Sequence, residues 1–189
     1  MHGSTAAAAL SDEALMRRVQ ADDDGAFELL YDRYQDRAWL LARALCRRGD
    51  RVERILHDAF TVAWRERAGY RPDHEAVNAW TMRLIHRRAA QPGGADQAAE
   101  PAGDTTASST GANADAAGTA GEQLRGLLSR IPQPQREIIA LAFYGRLTHS
   151  QIAELLALPA GTVKGRMRLG LHELRDVIDE QPAGQDPLH

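Results

Sequence analysis

Lys164, Arg166 and Arg168 place three positive charges ahead of Glu173, the next acid, with Gly161 and Thr162 before them and Gly165 between the first two. Closely spaced cations beside glycines suit contact with a polyanion rather than bond-making. Arg can bond guanine in bidentate fashion, and Lys or Arg can neutralise phosphate. Thr162 falls in a predicted first helical turn, where backbone N–H groups can also face a phosphate. Arg136, further upstream, is a weaker candidate of the same kind. The plainer reading is an amphipathic helix with a solvated basic face. A second basic set, His86, Arg87 and Arg88, closes the first half of the chain. Six residues before it stands Trp80, which could stack a base or simply fill a core.

Residues for other chemistry are missing from the pattern. Cys46 is the single cysteine, so an internal disulfide or a multi-cysteine zinc site cannot form. The histidines lack metal-ligand spacing. No glycine-rich phosphate loop precedes a helix, and no nucleophile, base and orienting group can be assembled. The sequence therefore predicts no enzyme, no cofactor, no metal and no small-molecule substrate. No run approaches the roughly 18 apolar residues of a membrane span, and Met1 to Leu10 lack the basic start of a signal peptide. Direct membrane insertion is not expected, and a cytoplasmic setting is.

The basic residues need elements to position them. Hydrophobic residues make up 43% of the 189-residue chain and aromatics 5%, with Ala, Leu and Arg abundant, which favours helix. Residues 91–121 contain four acids, no base, and no Leu, Ile, Val, Met or aromatic residue. Such a stretch cannot bury enough surface to offset its ordering entropy. It is expected to be a flexible acidic linker. The flanking segments are near neutral: residues 1–90 carry 15 basic and 14 acidic side chains, and residues 122–180 carry 8 and 7. The net charge of −3 thus comes largely from the linker, and any DNA contact must be a local patch.

The expected fold is all-α, with two small helical domains. Residues 1–10 read as a disordered leader, 11–90 as a four-helix bundle, 122–180 as a helix-turn-helix domain and 181–189 as a disordered tail. Ser11 can cap the first helix. Phe27, Leu30, Tyr31, Tyr34, Ala38, Leu41 and Leu45 stripe the second, which Gly49 ends. Asp50 can start a third, striped by Val52, Ile55, Leu56, Ala59, Phe60 and Ala63. Asp73 can cap a fourth, carrying Val77, Trp80, Leu84 and Ile85. In the second half, Leu124, Leu127, Leu128 and Ile131 suggest a helix ending near Pro132. Pro134 suits a first turn, and Gly145 ends the helix it begins. Thr148 and Gln151 have the spacing of a capping box. After Leu158-Pro159, a last helix is striped by Val163, Met167, Leu171 and Leu174. Two short helices around a tight turn, the second bearing the cations, describe a helix-turn-helix.

Ile131-Pro132, Gln135-Arg136, Thr148, Gln151-Ile152-Ala153, Gly161 to Arg166 and Leu174-Arg175 resemble region four of sigma factors. Asp12, Leu15 and Arg18, then Ala26-Phe27, Leu30-Tyr31, Arg33-Tyr34, Asp58-Ala59-Phe60, Trp64 and Ala79-Trp80 resemble region two. A plain tether in place of a middle domain resembles the extracytoplasmic-function (ECF) class. The resemblance implies a factor that binds core RNA polymerase and promoter DNA and is commonly held by an anti-sigma factor. It implies −35 contacts from Lys164, Arg166, Arg168, Thr162 and Arg136. It implies −10 contacts from Trp80, His86, Arg87 and Arg88, and polymerase docking through Arg54, His57, Asp58 and Phe60. Arg54 and His57 stand where the family commonly has an acid and a glutamine. Residues 86–92 also depart from its pattern. Two other readings stay open: a degenerate sigma-like adaptor that no longer melts promoters, and a response-regulator-type helix-turn-helix activator. The all-helical first half argues against the second.

Overall fold

The computed structural model describes residues 10–46, 51–91 and 126–180. Residues 1–9 of the leader, most of the linker, the tail, Gly49, Asp50 and Leu124 lie outside them. Among the described residues there are helices and no strands. The first half holds α1 (Asp12–Gln20), α2 (Asp24–Leu45), α3 (Val52–Glu66) and α4 (Val77–Ala90), with a 3-10 turn at Arg67–Gly69. After a helical turn at residues 126–128 come α5 (Gln133–Phe143), α6 (His149–Leu155) and α7 (Ala160–Asp179).

Local chemistry sets several helix starts. The Ser11 hydroxyl accepts from the Ala14 N–H at 3.2 Å, and acids Asp12 and Glu13 occupy the first turn, where the helix dipole favours negative charge. Asp23 caps α2 by accepting from the Ala26 N–H at 3.0 Å. That bond, aided by Arg18, holds its carboxyl below the usual carboxylate range. Asp12 then ties α1 to α2 by accepting from Arg33 and from the Tyr34 hydroxyl. Burial, together with Asp12, pushes the Tyr34 hydroxyl up from its ordinary value. The expected cap at Asp73 is corrected: α4 starts from Ala76 with no side-chain cap. Residues 72–74 form a turn instead, closed by the His74 N–H on the Arg71 carbonyl at 3.1 Å.

The first core is built from Leu15, Met16, Leu30, Tyr34, Leu41, Ile55, Phe60, Trp80, Met82 and Leu84, all buried. Phe27 bridges Phe60 and Trp64, with ring centroids 6.5 and 5.1 Å away.

The second half depends on close approach. α5 begins behind Pro132, with Pro134 in its first turn, and stops at Gly145. A Cβ there would lie 2.5 Å from the Leu141 carbonyl oxygen, so only glycine fits. Thr148 and Gln151 form the reciprocal capping box of α6. Ala157, in the turn before α7, has φ 51°. Gly170 of α7 faces α5, where a Cβ would come 2.8 Å from both Gln135 Cβ and Ile139 Cδ1. This approach turns Val163, Gly170 and Leu174 inward. Leu171 sits about 100° further round the helix and is 53% exposed, so it leaves the predicted stripe.

Candidate nucleic-acid interface

Helices α6 and α7, joined through residues 156–159, form the predicted helix-turn-helix. Val163 anchors the start of α7 in the core, fully buried. Two helical turns around it carry the candidate contacts. Lys164 and Arg168 are exposed, and Thr162 and Arg166 are half-buried. Among the described residues, Lys164, Arg166 and Arg168 meet no ion-pair or hydrogen-bond partner. Gly161 and Gly165 are exposed beside them, with open space where a Cβ would stand. The chemistry is therefore that of free cations next to a helix start, able to approach a phosphate backbone and base edges.

The basic set on α4 differs. His86 Nε2 lies 2.7 Å from Glu137 Oε1. Arg87 pairs with Glu66 at 3.2 Å, and Arg88 pairs with Asp58 at 2.7 Å. Trp80 is buried edge-on to Tyr70, centroids 5.5 Å apart. It stands as a core residue, not as an exposed stacking platform. Arg136 lines a cavity of about 170 Å³ between the halves, together with Leu45, His86, Gln133 and Glu137. Arg136 thus sits where α5 faces the first half.

On α3, Arg54 and His57 are exposed. Asp58 is partly covered by Arg88 and has its other oxygen 3.6 Å from His57 Nδ1. Phe60 is buried and packs on Tyr31 at 4.7 Å, so it supports this surface from below and does not form part of it. Glu66, Asn78 and Glu137 were not singled out in the sequence. Each is an ordinary helix-surface residue whose role comes from a partner 21 or more positions away. Among the described residues no acid, histidine or cysteine cluster could hold a metal, and no helix is long and apolar enough to cross a membrane.

Comparison with known proteins agrees with this arrangement. Residues 127–176 match the family described as sigma-70, region 4. Over 178 residues the chain is 32% identical to the ECF RNA polymerase sigma factor SigK of Mycolicibacterium vanbaalenii, covering 88% of each protein. It is 29% identical over 174 residues to the SigK of Mycobacterium bovis BCG, covering 88% of this chain and 93% of the relative. The fold resembles CnrH, solved in complex with the cytosolic domain of CnrY. The TM-score is 0.66 at 19% identity, over 90% of this chain and 99% of the other. It also resembles RpoE of Bartonella quintana, solved with the anti-sigma factor NepR. There the TM-score is 0.57 at 15% identity, over 82% and 98%. With a helix-turn-helix of this geometry and relatives matched along nearly their whole length, the chain belongs to the extracytoplasmic-function RNA polymerase sigma factors.

Proposed function

We propose that each half of this sigma factor reads one promoter element. The 122–180 segment reads the −35 element through Lys164, Arg166, Arg168 and Thr162 on α7. The 11–90 bundle docks on core polymerase through Arg54, His57 and Asp58 on α3. It meets the −10 element through His86, Arg87 and Arg88. The observation that carries the reading is a run of cations at a helix start that meet no partner among the described residues. Cations already neutralised by acids, as on α4, must first exchange partners. The polymerase supplies all the chemistry, and the protein works in the cytoplasm without being an enzyme itself. An anti-sigma factor is its inhibitory partner, as the pairing of RpoE with NepR suggests.

Run-off transcription with purified core polymerase and a promoter library tests this. Defined start sites are expected, and the upstream sequences they share should include both elements. Polymerase binding without transcripts would instead identify a sigma-like adaptor.

A further inference from the structure

An exposed leucine is ordinary on a protein surface, but the place of Leu169 is not. Helix geometry sorts the residues of α7 by direction, at about 100° per residue. Buried Val163, Gly170 and Leu174 share one line, within about 40° of one another, and that line faces the core. Gly161, Gly165, Arg168 and His172 share the opposite line, within about 60°, and all four are exposed. Lys164 and Leu169 flank it, each about 40° beyond its edge. Arg166 lies about 60° from the core line and is half-buried, which places it for a flanking phosphate rather than the groove floor. The outward face therefore holds two cations, a histidine and two glycines, with one large apolar side chain, 57% exposed, at its edge.

Gly165 precedes Leu169 by one turn. Side chains on a helix lean toward its N-terminus, so Leu169 overhangs Gly165, where a Cβ would meet nothing within 4 Å. Glycine below and leucine beside leave room for a group as small as a methyl. Beyond His172 the same side turns acidic: His172 Nδ1 lies 2.9 Å from Asp176 Oδ2, and Asp179 follows, both acids exposed. Acids repel phosphate, so the reading window closes there and Leu169 falls inside it.

We propose that Leu169 is a specificity-determining residue, packing on the C5-methyl group of one thymine in the −35 element. The inference rests on the reading of α7 as the helix that enters the −35 major groove. In that groove the thymine methyl is the one apolar group among the base edges. A leucine pressed against any other edge would cover a donor or acceptor without replacing its water, which costs free energy. The neighbouring side chains also favour thymine. Lys164 and Arg168 only donate, which suits the O4 acceptor of thymine, whereas the amino group of cytosine would meet them donor to donor.

Holoenzyme assembled from core polymerase and the full chain tests this on a promoter taken from the run-off library. Each thymine of its −35 element is replaced singly by deoxyuridine, which removes the C5-methyl and leaves O4 and the pairing edge. With the wild-type protein, one replacement should weaken promoter binding about fourfold, the worth of one buried methyl. With Leu169→Ala the two duplexes should bind alike, and with Leu169→Met the difference should return. The slope of log affinity against log salt should match the wild type in both variants, because no phosphate contact is lost. Unchanged helicity by circular dichroism would show that they are folded. Equal binding of every thymine and deoxyuridine pair by the wild type would overturn the proposal. So would discrimination that survives Leu169→Ala. If scrambling the whole −35 element left wild-type binding unchanged, the reading of α7 itself would fail, and the role of Leu169 with it.

Discussion

At the scale of single residues, a side chain's type announces its chemistry, but its partners decide whether that chemistry is available. Lys164 and Arg168 are exposed and meet no partner among the described residues, whereas Arg87 and Arg88 spend their charge on Glu66 and Asp58. Each phosphate neutralised should contribute about 0.9 to the slope of log affinity against log salt. Lys164→Ala with Arg168→Ala should therefore flatten that slope by roughly 1.8 on −35 duplex DNA. An unchanged slope would remove both from the phosphate contacts. The type of the candidate residues was legible in the sequence, because a run of cations before Glu173 depends on order alone. The pairing of Arg88 with Asp58 was not, since the two lie 30 positions apart and meet only once α3 and α4 pack. Trp80 was more legible, since its place on the apolar stripe of its helix favours a core position over a stacking one, and it is buried.

At the scale of helices and turns, starts and stops were readable wherever one short-range interaction decides them. Ser11, the Thr148–Gln151 box and Gly145 all act within a few residues. Asp73 failed as a cap because a turn at 72–74 intervenes and α4 starts four residues later. Leu171 failed as a core residue because the approach at Gly170 chooses a narrower side of α7 than hydrophobic spacing alone suggests. Two substitutions probe these points by urea denaturation. Ala157 holds a left-handed backbone conformation, so Ala157→Gly should stabilise the chain by about 1 kcal/mol. Gly170→Ala should destabilise it by about 1–3 kcal/mol, because the new methyl meets Gln135 and Ile139. A neutral result at 170 would mean that α5 and α7 part without loss.

At the scale of the whole molecule, two helical halves were legible from composition, because residues 91–121 offer almost nothing to bury. Their contact was not. It depends on Asn78, His86, Glu137 and Gly145, which meet across 51 and 67 positions and obey no periodic pattern. The length between the halves then sets what the protein can span. Deleting 25 of the residues between Gln91 and Gly126 leaves a reach of about 35 Å. Such a chain should still bind core polymerase but lose initiation at promoters that need both elements. Run-off assays beside binding assays would show this, and retained initiation would mean that one element suffices. Gly170 also acts at this scale, on the reading proposed for α7. It is the fulcrum of a lever whose reading end, at Thr162, lies about 12 Å away. A tilt of about 5° at that fulcrum displaces the far end by about 1 Å, a large fraction of the tolerance of a bidentate bond to a base. The preference of this sigma factor among promoters can therefore be retuned from a position that never touches DNA.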